Sequence, residues 1–240
     1  MDALILAAGL GSRLKNLTTD KPKAMVQVEK RELILRVMDF LDHPQINQRS
    51  IVTGYQSECF KQFLQNHCPT VKIFDNPHYQ KGSILTLEAG LAAMTNDFLL
   101  MNVDHIYPRR MLQKIINQTS GISAICDFDR KLIADDMKIK KNAQNQITAI
   151  HKQLEEFDGG YIGMTVVAQS SLQVYKEAVS QVKLKHGETA PVEWVLGELA
   201  NAGYPINICD VSGYGWLEVD DQNDLQQAEV VLQNNKDYLA

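Results

Sequence analysis

Residues suited to handling phosphate groups gather near the start of the chain. Leu6-Ala7-Ala8-Gly9 runs into Gly11-Ser12-Arg13, and Pro22-Lys23 follows after a polar stretch. Glycines let backbone N–H groups turn inward and approach an anion closely, which makes a nest for charged oxygens. Arg13 and Lys23 add positive charge on either side of that loop. Farther along, Asp104 stands directly after an apolar run at 98–103, with His105 beside it. Near the end, Glu218 and Asp220 alternate with Leu217 and Val219, so an extended strand puts both carboxylates on one face. Mg²⁺ takes one or two carboxylates together with phosphate oxygens and water, so Asp104 with Glu218 or Asp220 is a candidate metal site. Helix capping competes as the explanation, because Asp104 precedes the helix at Pro108 and Asp220-Asp221 precedes the last one.

Two other phosphate loops do not fit. A dinucleotide fingerprint needs a third glycine where Leu14 stands, and the strand ending Thr53-Gly54-Tyr55 lacks the acidic residue that holds a ribose. A Walker loop needs Gly-Lys-Ser/Thr at its end, and no such tripeptide occurs. There is no Gly-x-Ser-x-Gly elbow and no plausible Cys–His–Asn set, so covalent catalysis has no support.

These residues must be positioned by a fold, and the chain alternates strand-like and helix-like segments through its first half. Residues 3–8, 50–53, 71–74 and 98–103 read as buried strands; 31–41, 58–64, 83–94 and 108–116 read as helices, with Ser83 a candidate N-cap. That alternation is the pattern of a parallel sheet with crossover helices, whose ligands bind at the carboxyl ends of the strands. The second half differs. Strands are expected at 121–128, 161–167 and 206–211, an antiparallel hairpin at 137–150, and helices at 171–182, 192–200 and 221–232. Lys138, Lys140 and Lys141 read as the solvated face of that hairpin. Asp127 and Asp129 share a strand face, with a place on a substrate crevice as the alternative to a structural role.

The 240 residues are 45% hydrophobic and 22% charged, which suits a packed globular domain. A net charge of −5 argues against bulk nucleic-acid binding, so the anion-binding groups are local. No apolar run approaches membrane-spanning length, and no basic-then-apolar leader precedes the first strand. Cys59, Cys68, Cys126 and Cys209 have no regular spacing and read as reduced thiols of a cytoplasmic protein. His43, His67, His78, His151 and His186 are scattered, with no metal-ligand spacing. One domain over 1–240 is expected, with a nucleotide-binding half at 1–120 and an acceptor-binding half with a closing helix at 121–240.

The pattern LAAGxGxR followed by Pro22-Lys23 resembles the signature of the sugar-phosphate and alcohol-phosphate nucleotidyltransferases. Gly54-Tyr55, Asn76-Pro77, Lys81-Gly82-Ser83-Ile84-Leu85, the Asp104-His105 pair, the run 152–163 and the ending WLEVDD are similar to the phosphocholine and inositol-1-phosphate cytidylyltransferases, in order along nearly the whole chain. The resemblance implies an α/β, Rossmann-like three-layer domain with a mostly parallel mixed sheet and an inserted antiparallel hairpin. It implies nucleotide contacts from Leu6, Ala7, Ala8, Gly9, Gly11, Ser12, Arg13, Gly54, Tyr55, Gly82 and Ser83. It assigns catalysis to Arg13, Lys23 and Asp104, and Mg²⁺ to Asp104 with Glu218 and Asp220. Gly82-Ser83 departs from family members that carry asparagines there, which bears on the donor base and the acceptor. The implied reaction takes CTP, or another nucleoside triphosphate, and a small phosphorylated alcohol, without nucleic-acid or membrane partners; assembly into a homo-oligomer is left open. The alternatives are a uridylyl-, thymidylyl- or guanylyltransferase acting on a sugar 1-phosphate, and a nucleotide-binding regulator without turnover.

Overall fold

Asp2–Leu6, here β1, is buried along its whole length because it is paired on both sides and covered on both faces. This accounts for its unbroken apolar character, since a strand inside a parallel sheet has no solvated face. The computed structural model describes residues 1–235 and 237–239. After β1 come β2 (Gln27–Val28), β3 (Arg31–Glu32), β4 (Arg49–Thr53), β5 (Lys72–Asp75), β6 (Phe98–Asn102), β7 (His105–Ile106) and β8 (Ile122–Asp127). Then follow β9 (Lys138–Lys141), β10 (Ile147–His151), β11 (Gly159–Val167), β12 (Ile206–Asp210) and β13 (Leu217–Glu218). The helices are α1 (Leu33–Phe40), α2 (Ser57–His67), α3 (Ser83–Leu91), α4 (Arg109–Gln118), α5 (Leu172–His186), α6 (Trp194–Asn201) and α7 (Gln222–Asn234).

Nine strands make one mixed sheet among the described residues. The order β5-β4-β1-β6 is parallel, with β1 at the point where the chain turns from one direction across the sheet to the other. β11 then runs antiparallel to β6, β8 and β9, while β12 lies parallel to β8. The hairpin β9–β10 extends the sheet, turning through Asn145 at positive φ with Asn142 accepting from the Gln144 and Gln146 N–H groups.

Alternation along β1 separates two apolar layers. Leu4 and Leu6 join a core with α3, α5 and α6, whereas Ala3 and Ile5 join one with α1, α2 and α4. The result is the three-layer α/β arrangement. A third, smaller cluster packs Leu14, Val28, Leu33, Ile106 and Val219 beneath α7. The carboxyl ends of β1 and β6 thus lie side by side, where an open sheet that changes winding direction leaves a crevice.

Local details depart from expectation in three places. Arg31–Glu32 pairs with Gln27–Val28 as a short ribbon, so the helix begins at Leu33. Ser83 is not the cap of α3: that position is Gly82, and the Ser83 hydroxyl instead accepts from the Val192 N–H at 2.8 Å. Lys138 is only 8% exposed, its stem buried and its Nζ donating to the Lys152 carbonyl at 2.6 Å. Capping by Asp221 is as expected: its carboxylate accepts from the Asn223 and Asp224 N–H groups in a full capping box.

Gly82 has no room for a side chain, since a Cβ there would lie 2.4 Å from the backbone of Thr189 and Ala190. The obstacle is main chain, which cannot swing aside. Gly82→Ala should cost about 1–3 kcal/mol, roughly a 2–12 °C fall in Tm for a chain of this size. Thermal denaturation reads this directly; an unchanged Tm would mean that residues 187–193 yield freely.

Candidate functional site

Straight after β1 the backbone leaves the sheet at Ala7-Ala8, tied to β4 by the Ala7 N–H on the Val52 carbonyl at 3.0 Å. Gly9 has no atom within 4 Å of a would-be Cβ, so the loop there borders open space. Gly11 is different: it sits at φ 64°, and a Cβ would meet Lys23 Cβ at 2.9 Å. The loop therefore closes down on Lys23. Thr18 Oγ1 donates to the Gly11 carbonyl at 2.9 Å, and Leu14, fully buried, anchors the 3₁₀ turn that follows.

Lys23 is the hub. Its Nζ donates to Asp104 Oδ2 at 2.7 Å and to Asp220 Oδ1, joining segments that follow β1, β6 and β13. Burial works against the charge of Lys23, but the two carboxylates outweigh it and hold the ammonium above its ordinary pKa. Burial likewise opposes the charge of Asp104, yet Lys23 and His105 hold its carboxyl well below the usual carboxylate range. Asp220 Oδ2 accepts from Arg13 at 2.6 Å, and Arg13 also reaches Asp135 at 2.9 Å. Both loop cations are thus balanced by carboxylates.

Behind Asp104 the His105 ring lies between Tyr107 and Trp216, with centroids 5.6 and 5.4 Å away. Its Nδ1 is 2.7 Å from Asp104 Oδ1, and its Nε2 faces Glu218 at 3.8 Å. Burial disfavours the charged ring, but Glu218 and Asp104 raise the His105 pKa above its ordinary value. Burial also raises that of Glu218.

Arg13, Lys23, Asp104 and Asp220 border a cleft of about 380 Å³. Of the residues expected from the sequence, Leu6, Ala8, Gly9, Gly11, Ser12, Arg13, Lys23, Ser83, Asp104 and Asp220 line it. Ala7, Gly54, Tyr55, Gly82 and Glu218 are not among its walls. Ala7 is in the core below, Gly54 packs against Ala8 and Tyr79, and the Tyr55 hydroxyl donates to the Thr19 carbonyl at 2.6 Å. Sequence reasoning did not assign Tyr79, Gln80, Thr86, Asn102 or Glu193 to the cleft, though all five line it. Tyr79 and Gln80 directly precede Lys81-Gly82-Ser83, and that adjacency was the available signal. Glu193 had none; residues 187–193 bring it in by folding over the start of α3, where the Gly82 N–H reaches the Glu188 carbonyl at 2.8 Å.

A smaller cavity of about 70 Å³ adjoins the cleft and shares Asn102 and Glu193 with it. Its other walls include His105, Asp135, Lys152, Tyr161, Trp216 and Glu218. Lys152 is paired with Asp135 at 2.6 Å, so carboxylates dominate this space. Asp127 and Asp129 lie elsewhere. Asp127 accepts from the Trp216 indole at 2.9 Å, which fits the structural reading of that pair.

Among the described residues no cluster of three or more His, Cys, Asp or Glu is placed to hold a metal. Asp104 and Asp220 do converge on one cation, the Lys23 ammonium, at the wall of the cleft. That donor set fits Mg²⁺ bound by two carboxylates with the remainder supplied by phosphates and water. Glu218 stands one residue further back, against His105.

A sequence-family model described as "MobA-like NTP transferase domain" matches residues 3–153. A "Bifunctional IPC transferase and DIPP synthase" of Aquifex aeolicus is 31% identical over 232 residues, 96% of this chain and 51% of that protein. The chain spans about half the length of the bifunctional relatives it matches. A "CTP:phosphoglutamine cytidylyltransferase" of Campylobacter jejuni is 26% identical, covering 94% of this chain and 98% of that one. In fold, the inositol-1-phosphate CTP transferase of T. maritima superposes with a TM-score of 0.79 at 19% identity, over 97% of this chain and 96% of the other. None of the helices among the described residues is long and apolar enough to cross a membrane.

Removing the shared cation tests the electrostatic account. Lys23→Met leaves Asp104 and Asp220 facing each other without the cation between them, each held only by its second partner, His105 or Arg13, at a cost on the order of 3 kcal/mol near neutral pH. The folded-state pKa of Asp104 is depressed, so the stability it contributes is present above its unfolded value and lost as pH falls through the folded one. The gap between wild type and Lys23→Met should be widest above about pH 5 and shrink steadily below about pH 4, where Asp104 protonates in the unfolded chain before it does in the folded wild type. Urea denaturation across that range measures it, and a gap independent of pH would contradict the pairing.

Proposed function

Since the chain belongs to the MobA-like NTP transferase family, we propose that its cleft carries out Mg²⁺-dependent nucleotidyl transfer from CTP to a small alcohol phosphate, releasing pyrophosphate. The observation that carries this reading is the convergence of the glycine loop, Arg13, Lys23, Asp104 and Asp220 on one cleft at the carboxyl ends of β1 and β6. CTP as donor is supported by the printed name of the full-length Campylobacter relative.

In this reading the backbone N–H groups of residues 9–12 face the triphosphate, and Arg13 leaves Asp135 to bind it. Lys23 exchanges carboxylate oxygens for phosphate oxygens as the two substrates converge. Asp104 and Asp220 are the residues that would hold Mg²⁺, and the ion would supply neutralisation of phosphate charge. The second pKa of a phosphate monoester is near 6, so the acceptor is already largely ionised at neutral pH and needs no general base. An acceptor oxygen bonds to the α-phosphorus, the bond from that phosphorus to the bridging oxygen breaks, and pyrophosphate leaves. The work left to the protein is alignment of two repelling anions and stabilisation of charge in the transition state.

Pyrophosphate release over a panel of nucleotides and acceptors tests the reading. CTP should lead UTP, ATP and GTP by roughly tenfold or more, with choline, ethanolamine, inositol or glycerol phosphate ahead of hexose 1-phosphates. UTP or TTP with a hexose 1-phosphate as the best pair would replace this reading with a sugar nucleotidyltransferase. Nucleotide binding without turnover on any acceptor would favour the regulatory alternative.

Lys23→Ala should lower kcat about a hundredfold or more while changing the nucleotide Kd, read by calorimetry, by far less. Near-normal turnover would remove Lys23 from catalysis. Asp104→Ala should abolish Mg²⁺-dependent activity in a protein that still melts cooperatively.

A further inference from the structure

Asp104 has two carboxylate oxygens, and they are committed to different partners. Oδ2 accepts from Lys23 on the cleft side, while Oδ1 accepts from His105 Nδ1 at 2.7 Å behind it. We propose that His105 is a positioning residue that locks the Asp104 carboxylate so that a single oxygen is presented to a divalent cation in the cleft. This inference rests on the nucleotidyl-transfer reading above for the role of Asp104.

Nothing in the surroundings of His105 leaves the ring free to turn. Its centroid is 5.6 Å from that of Tyr107, at an interplanar angle of 12°, and 5.4 Å from that of Trp216, at 24°. Each neighbour is itself pinned: the Tyr107 hydroxyl donates to the Ile162 carbonyl, and the Trp216 indole donates to Asp127 at 2.9 Å. The Arg130 guanidinium also lies over the Trp216 ring, 3.8 Å from its centroid. At the ring edge, a Cβ on Gly163 would come within 3.1 Å of His105 Cε1, so the backbone of β11 forms a close wall. Backbone pairing sets the height of the ring as well: His105 lies opposite Glu218 in the β7–β13 ribbon, and the Val219 N–H reaches the Asp104 carbonyl at 2.9 Å. Glu218 then faces Nε2 at 3.8 Å, on the far side of the ring from Asp104.

The consequence is specific. A carboxylate free to rotate can offer two oxygens to a cation or swing away from it, and an oriented one cannot. Groups that orient a ligand of this kind typically alter metal affinity 10–100-fold when removed. His105 would therefore set how tightly the cleft holds its divalent cation without touching that cation. The same geometry gives Glu218, expected from the sequence to be a ligand, a part in steadying the ring.

Two substitutions separate positioning from packing. His105→Phe keeps a ring between Tyr107 and Trp216 but donates nothing to Asp104. His105→Asn loses the ring but carries an amide N–H where Nδ1 was. The readout is Mn²⁺ binding to the protein in the presence of CTP and without acceptor, followed by electron paramagnetic resonance. His105→Phe should weaken Mn²⁺ binding about tenfold or more, and His105→Asn should return it to within about threefold of wild type. Unchanged Mn²⁺ binding in His105→Phe would overturn the proposal, as would equal weakening in both variants, which would make packing the role of the ring. Failure of wild type to bind Mn²⁺ with CTP would overturn it too. Wild type that binds Mn²⁺ as expected, with the predicted difference between variants but no transfer to any acceptor, would leave the positioning role standing and sink the reaction.

Discussion

One ammonium group organises the cleft. Lys23 joins the loop after β1 to carboxylates that follow β6 and β13, positions separated by 81 and 197 residues along the chain. Each of the three segments is brought within reach by different forces. The parallel pairing of β1 with β6 fixes the first two, and the β7–β13 ribbon carries the third. A buried cation with two carboxylates is costly to desolvate, and it repays that cost only when the geometry is well satisfied. Its presence signals a site shaped to hold charge, and phosphate groups with a divalent cation supply the same charges in another distribution.

Close approach of main chain shapes the borders of the cleft, where Ala8, Gly9 and Gly11 line the loop after β1. Gly11 is pressed against Lys23 and Gly82 against residues 189–190, so the loops on both sides approach without side chains between them. Backbone groups at these approaches come with no rotamer freedom to lose. Charge is supplied by few residues, each held by another: Arg13 by Asp135 and Asp220, Lys152 by Asp135.

Where sequence reading succeeded, local pattern and tertiary outcome coincide. The apolar run of β1 leading to the glycine loop, and the run of β6 leading to Asp104, can be read because a buried parallel strand shows as an unbroken apolar run, although β1 leaves the sheet at Leu6, two residues before the apolar run expected over 3–8 ends. The hairpin is legible for the same kind of reason, its turn residues Asn142 and Asn145 lying between alternating strands. Lys138 was misread because alternation tells which residues share a face, not what covers that face; β11 beside β9 buries it. Glu218 and Asp220 shared a face on paper, but β13 is only two residues long, and Asp220 turns to Lys23 while Glu218 stays with His105. Glu193 could not be found at all, since it enters the cleft through a loop placed by tertiary contact, its backbone against the start of α3 and its Ala190 and Val192 in the core.

The antiparallel seam between β6 and β11 has a wider consequence. β6 carries the chain into Asp104, yet one whole side of it is hydrogen-bonded to a strand that arrives some sixty residues later. A nascent chain that has emerged only as far as residue 120 therefore holds the glycine loop and Asp104 but presents β6 as an open edge, the kind of edge that recruits a second chain. Completion of β11 closes that edge and sets Gly163 against His105 in the same event. A single strand pairing, made with a late segment of the chain, thus both covers the edge of β6 and completes the wall against His105.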